Sequence, residues 1–281
     1  MPRFALPTLI ALAIGWAYAP TLEYLVGKWI DDPQYSHGFL VPLFSLYLLR
    51  LNWSRIEPAL AGPGWPLLGG LLLALTLPLR GLAGGLLFHQ LDCLSLLLTL
   101  AAIALAIGGR KLFKLTGPAI VFLIFMVPLP YELERGVGGP LRIAATIAST
   151  FMLQTLGLPA ISEGNVILID EVKLGVVEAC SGLKMLVTFA AFSVGAALLA
   201  RRSGFEKLMV LLGIVPIALL SNVFRIVATG VALTFISHKP TTDFLHDVFG
   251  WLMMPLGLAL LGLELWILQR LVVAPRKGTL A

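Results

Sequence analysis

Charge is scarce in this chain. Lys, Arg, Asp and Glu make up 12% of its 281 residues, about half the roughly 25% of a soluble domain, while 58% of residues are hydrophobic. So little charge cannot clothe a water-facing surface. Together with a mean hydropathy of +0.94, it excludes a soluble enzyme, a disordered tail and a free nucleic-acid-binding domain. Cysteine is nearly absent. Cys93 and Cys180 are the only two, which excludes a disulfide scaffold and leaves room for one bridge at most. The four histidines include no H-E-x-x-H and no Cys/Glu/His grouping with metal-ligand spacing, so a zinc intramembrane protease is unsupported. No metal and no cofactor is expected. Internal repeats and low-complexity tracts are missing, and the chain is short for the duplicated architecture of many transporters. The net charge of +5 is no argument for a nucleic-acid partner, because excess Lys and Arg in membrane proteins collect in cytoplasmic loops.

What the chain has in abundance is apolar runs. A helix needs about 20 apolar residues to cross the hydrocarbon core. About eight windows qualify, two of them with help from their flanks: roughly 6–26, 38–51, 65–80, 90–109, 113–130, 183–200, 208–235 and 248–268. The expected fold class is an all-α polytopic membrane protein with about eight transmembrane helices. Internal Gly and Pro (Pro42, Gly69, Gly70, Pro78, Pro118, Pro216, Pro255) are tolerated where neighbouring helices satisfy the freed backbone groups. The first window resembles a signal peptide ending at Ala17-Tyr18-Ala19, but Pro20 directly after that site discourages cleavage, so it reads as a retained span. With the N-terminus inside, one set of loops holds Arg3, Arg50, Arg55, Arg110, Lys111, Lys114, Arg201, Arg202, Lys207, Arg270, Arg276 and Lys277. The other set is poorer in cations, so both termini are expected in the cytoplasm.

Two stretches depart from simple span counting. Between Leu141 and Leu158, the polar residues Arg142, Thr146, Ser149, Thr150 and Gln154 recur at helical spacing. One polar stripe on an apolar helix favours a helix lying in the outer interface, or lining a cavity, over one surrounded by lipid. Asn165–Asp170 and Val172–Glu178 are short and β-branched, and read as a small extracytoplasmic β-hairpin (segment 161–179) turning near Asp170-Glu171. Its open edge cannot face lipid. The expected organisation is a single integral membrane domain over 1–281, with no separate C-terminal domain.

Three groups can carry chemistry. Cys180, within Glu178-Ala179-Cys180-Ser181-Gly182, falls between a strand and a helix start. A helix N-terminus lowers a thiol pKa and favours the nucleophilic thiolate, and Gly182 allows close approach. The plain alternative is a small apolar residue. Arg225 lies inside the long seventh window, with Asn222 three residues earlier on the same helix face. An intramembrane charge costs about 2.5–3.5 kcal/mol on insertion scales and marks either a functional group or a structural ion pair. His246 precedes the last window. Thr241, Thr242 and Asp243 are cap candidates that put it in a first helical turn, and Asp243 is placed to orient the imidazole. A solvated surface histidine is the plain alternative. Thiol, imidazole and guanidinium at the same ends of consecutive spans suit acyl transfer through a thioester. Two rival readings remain open. One is a small transporter or permease using Arg225 and Asn222 as its substrate site; the other is a non-catalytic component of a surface-polymer export system.

Glu178-Ala-Cys-Ser-Gly-Leu-Lys184, Ser221-Asn-Val-Phe-Arg225 and His246-Asp-Val-Phe-Gly-Trp251 resemble the three motifs of the exosortase/archaeosortase family. Tyr35-Ser-His-Gly-Phe-Leu-Val-Pro42 resembles a stretch common near the N-terminus of its bacterial members, and Glu163–Ile167 resembles the β segment before its cysteine. The resemblance implies a multi-pass cysteine transpeptidase of the bacterial inner membrane with its active site on the extracytoplasmic side. It implies Cys180 as nucleophile, Arg225 as transition-state or substrate stabiliser, and His246 as general acid/base. Glu178, Ser181, Gly182, Asn222 and Asp243 would be supporting residues. The implied partners, besides membrane lipid, are exported proteins with a C-terminal motif, a transmembrane helix and a basic tail, and an unknown acceptor.

Overall fold

A computed structural model describes residues 5–32, 35–86, 88–176, 183–200, 202–235 and 239–271. The chain divides into two compact units, residues 1–130 and 131–281.

The first unit contains α1 (Ala5–Ala17), α2 (Ala19–Asp31), α3 (Leu40–Leu51), α4 (Trp53–Leu60), α5 (Pro66–Leu86) and α6 (His89–Phe122). The expected first span is the pair α1–α2, bent by 72° just before Pro20, which brings no N–H to the first turn of α2. The unit's central feature is a reversal within α6. Thr21 donates a hydrogen bond to Asp92, and Trp29 Nε1 donates to the Met126 carbonyl at 3.0 Å. Thr21 and Trp29 are about 12 Å apart along α2, whereas a straight helix would separate Asp92 from Met126 by about 51 Å. The chain therefore doubles back between them. It does so at Gly109, with φ 58° and ψ −154°, a conformation essentially reserved for glycine. A Cβ at Gly109 would also come 2.4 Å from the Pro63 carbonyl oxygen. The windows 90–109 and 113–130 are the two arms of this fold-back. Ser45 of α3 donates to the Ala119 carbonyl at 2.9 Å, so α3 lies along the returning arm.

The second unit contains α7 (Tyr131–Thr155), β1 (Ala160–Glu163), β2 (Val166–Ile169), β3 (Val172–Gly175), α8 (Leu183–Leu199), α9 (Gly204–Leu212), α10 (Ile214–Phe235) and α11 (Lys239–Leu271). Where a two-stranded hairpin was expected, the structure has a three-stranded antiparallel sheet in the order β1-β2-β3. Asp170 turns β2 into β3 with φ 49°, and Gly164 turns β1 into β2 with φ 62°. The register pairs Ala160 with Ile169 and Val166 with Gly175. Alternation on β2 buries Ile167 and Ile169. These join Ala145 and Leu153 of α7, Val176 just after β3, and Ile226 of α10 in one apolar cluster, so the sheet is pinned to both helices. Ser203 caps α9 in a reciprocal capping box with Glu206, satisfying orphan N–H groups in both directions. Phe189 of α8 is buried against α11, where Gly257 leaves the space its ring occupies.

By length and composition, Pro66–Leu86, His89–Met126, Gly204–Phe235 and Val248–Leu271 can cross a membrane, and the bent α1–α2 pair is a fifth candidate. Among the described residues this makes four or five spans where about eight were expected. Ser36–Leu51 and Met185–Leu199 are apolar but shorter, and His89–Met126 is counted once although the reversal at Gly109 divides it into two arms. Leu67, Leu77 and Trp251 are 79%, 71% and 83% exposed, an apolar surface of the kind that lipid covers.

Gly109→Ala is expected to lower the thermal midpoint of the detergent-solubilised protein, with roughly 1–3 kcal/mol from backbone strain alone. Gly117→Ala, in the same helix with nothing within 4 Å of its Cβ position, should leave the midpoint unchanged or slightly raised. Equal behaviour of the two variants would contradict a reversal at Gly109.

Candidate functional site

Arg225 stands near the middle of the 22-residue α10 and is only 8% exposed. Ser221, Asn222 and Thr229, three or four residues to either side, are buried with it. Phe224 and Leu220 point outward on the opposite side. One face of an otherwise apolar helix thus carries every strongly polar group of its middle third, as a charge among apolar helices requires. Gly250 of α11 lies alongside the guanidinium. A methyl there would be 3.5 Å from Nη2, 3.6 Å from Cζ and 3.7 Å from Nε. The backbone of His246 is one helical turn before Gly250, on the same face of α11 by the i, i+4 relation.

Helix α7 packs on α10 and adds hydroxyls. Thr146, Ser149 and Thr150 are buried, while Ile143, Ile147 and Phe151 are exposed. The stripe read from the sequence therefore turns into the protein. Of the two settings read for the stripe, a polar side turned to the protein interior is the one this burial fits, and not a polar side that meets water. The physical reason is that α10 offers a polar face of its own for the stripe to pack on. Thr146 and Thr150 donate to the carbonyls one turn back, each at 2.8 Å. The buried hydroxyl oxygens of Ser149, Ser221 and Thr229 have no hydrogen-bond partner among the described residues. Gln154 donates to the Ala160 carbonyl at 2.8 Å, tying the end of the stripe to β1.

Cys180, Glu178, Ser181 and Gly182 lie outside the described residues. The described chain leaves off at Val176, whose N–H donates to the Asn165 carbonyl at 2.7 Å, and resumes at buried Leu183. Val176 shares its apolar cluster with Ile226, the neighbour of Arg225. The side chains of Asp243 and His246 are likewise outside the description. The backbone corrects one expectation: α11 begins at Lys239, so His246 is past the first turn. Pro240 explains the earlier start, since a residue without an N–H loses nothing in a first turn. The structure thus brings Arg225, Asn222 and Gly250 together and puts position 246 one turn from Gly250.

Sequence reasoning passed over Ser221 and Thr229 as site residues, although their i−4 and i+4 relation to Arg225 was a usable signal. It also passed over a polar network in the first unit. There Asp92 accepts from Thr21 and from Arg80 Nε at 2.9 Å. Arg80 covers the Tyr18 ring at 4.3 Å, and the Tyr18 hydroxyl bonds Thr99 at 2.7 Å. A cavity of about 570 Å³ opens beside Arg80, Asp92, Tyr24 and His89. Cys93, next to Asp92, is a free and fully buried thiol.

The family model of transmembrane exosortases matches residues 29–263, most of the chain. The chain belongs to the transmembrane exosortase family. No curated relative and no solved structure matches it. The matched region takes in the stretches around Cys180, Arg225 and His246. The family is one of membrane cysteine transpeptidases, and membership suggests that this exosortase acts on proteins carrying a sorting signal.

The close approach at Gly250 has a consequence for stability. In this exosortase, Gly250→Ala places its methyl at ordinary contact distance and should be tolerated. Gly250→Leu must displace the guanidinium or α11, and overpacking of this kind costs roughly 1–3 kcal/mol. Thermal unfolding of both variants in detergent checks this, and an unperturbed Gly250→Leu would contradict the contact.

Proposed function

We propose that this exosortase cleaves the C-terminal sorting signal of exported proteins at the extracytoplasmic face of the bacterial inner membrane, and transfers them to an acceptor through a thioester on Cys180. The observation that carries the reading is the burial of Arg225 against Gly250, one turn from His246, within a family match that spans all three motifs. A guanidinium buried in this way is pre-set to receive an anion. A peptide carbonyl under attack becomes that anion.

In the proposed reaction the Cys180 thiolate attacks the scissile carbonyl carbon, and Arg225 stabilises the charge that develops on the oxygen. A guanidinium pre-set in an apolar site needs no reorganisation as the charge appears. The C–N bond then breaks, and His246 gives its proton to the leaving amine. The acyl group remains on sulfur until an acceptor nucleophile attacks the thioester and releases the thiolate. Restricted water favours transfer over hydrolysis. Both termini are assigned to the cytoplasm on the Lys/Arg bias. Asn222 beside Arg225, and Asp243 one turn before His246, are assigned to holding these two groups in place.

The test is processing of a sorting-signal substrate by variants that insert and purify normally. Cys180→Ala is expected to abolish processing. Arg225→Met should reduce it by about 10²–10³ while leaving the protein folded. His246→Ala should reduce it by about 10²–10⁴, with loss of the neutral-pH optimum. A covalent acyl adduct that wild type accumulates and Cys180→Ala lacks would identify the nucleophile. Full processing by Cys180→Ala would end the proposal.

A further inference from the structure

Three exposed cations of the first unit line one recess, and among the described residues no acid pairs with them. Arg55 stands on α4, and Lys111 and Lys114 stand one turn apart on the returning arm of α6. With Pro58 and Leu115 they line a cavity of about 360 Å³. That size lies at the low end of small-ligand sites, about 300–1,000 Å³. Among the described residues none of the three takes part in an ion pair or side-chain hydrogen bond. The one acid of α4, Glu57, is exposed and pairs with none of them.

The convergence is imposed by packing. Ile56 and Ala59 of α4 are buried with Ala104 and Leu112 of α6. The Ala59 carbonyl approaches Gly108 so closely that a Cβ there would come within 2.6 Å of it. The reversal at Gly109 then swings Lys111 and Lys114 beside Arg55. Exposed like charges in one recess repel only weakly through water, but all three attract an anion that enters it.

The surroundings say which kind of anion. Trp53 opens α4 and Trp65 follows it, at 42% and 46% exposure. Half-exposed tryptophans mark the level of lipid headgroups. Trp65 is held there by the reversal, 3.4 Å from the Cβ position of Gly109. Leu67 and Phe113 are exposed nearby in sequence, at 79% and 39%, offering apolar surface to acyl chains. A ligand with a phosphate head and apolar tails meets both demands, and clusters of Lys and Arg at a membrane surface attract such heads.

We propose that the Arg55–Lys111–Lys114 cavity binds the phosphate of an anionic phospholipid of the phosphatidylglycerol or cardiolipin type. Arg55 presents a planar fork to two phosphate oxygens, and the lysines supply point charges. The site is separate from the proposed acyl-transfer residues, and its test does not depend on them.

The experiment is native mass spectrometry of the full chain in detergent, titrated with cardiolipin, phosphatidylglycerol, phosphatidylcholine or inorganic phosphate. Cardiolipin and phosphatidylglycerol are expected to stay bound and phosphatidylcholine to leave. At about 1 kcal/mol per cation, R55Q should weaken cardiolipin binding about fivefold, and R55Q/K111Q/K114Q about a hundredfold. K111R/K114R should keep wild-type binding. R110Q removes a charge from the same arm outside the cavity and should change binding less than about twofold. Should the triple variant not fold, R55Q against K111R/K114R and R110Q carries the comparison. Wild-type binding by R55Q, an equal loss in R110Q, or equal retention of phosphatidylcholine would overturn the site. Displacement of the lipid by inorganic phosphate at matched concentration would show a soluble-anion site and overturn the lipid assignment.

Discussion

A guanidinium inside a bundle of apolar helices must be solvated by protein, because water is not there to do it. That demand organises the second unit. It explains why Ser221, Asn222 and Thr229 share one face of α10 with Arg225 and why α7 turns its hydroxyls inward onto that helix. Beside the charge α11 presents Gly250, where a methyl would sit at ordinary contact distance and a larger side chain would meet the guanidinium. The three-stranded sheet serves the same end. By clamping Val176 into the cluster around Ile226, it delivers the chain that leads to Cys180 beside the helix carrying Arg225. The fold thus ties a strand end to the helix of a buried cation through the apolar contacts of Val176 and Ile226.

The first unit meets a related demand differently. Asp92 is neutralised by Arg80, whose guanidinium also covers Tyr18, and Thr21 and Ser95 add hydrogen bonds to the same residue. An ion pair made in this way is fully engaged, whereas Arg55, Lys111 and Lys114 have no counter-charge among the described residues. The contrast separates charges that serve the fold from charges offered to a ligand. Both sets depend on the doubling back of α6. The reversal brings Asp92 and Met126 to the same helix, and it sets Lys111 and Lys114 beside Arg55.

Much of this was legible in the residues. Apolar windows mark α5, the two arms of α6, α10 and α11, because burial in lipid demands long uninterrupted runs. The β-branched Val166–Ile169 marks a strand, and Asp170 its turn. The pairing of Asn222 with Arg225 on one face follows from helix periodicity. Other features were hidden for physical reasons. β1 has four residues after a proline and exists because β2 gives its backbone partners. The stripe on α7 has a periodicity that reveals amphipathicity but not whether the polar side meets water or protein. The start of α11 was drawn to the cap residues Thr241–Asp243, while Pro240 allowed the helix to begin at Lys239.

What the sequence determined by itself is the solvent this chain is built for, the family it belongs to and the residue types that can do chemistry. Each depends on composition or on spacing along one helix. What only the tertiary structure decided is which of these residues meet. Gly109 and Gly250 are ordinary glycines as letters. One is required by a backbone conformation that L side chains avoid and by the Pro63 carbonyl against it. The other stands where a guanidinium from another helix leaves little room. Such close approaches depend on where distant segments come to rest, and no local pattern encodes that.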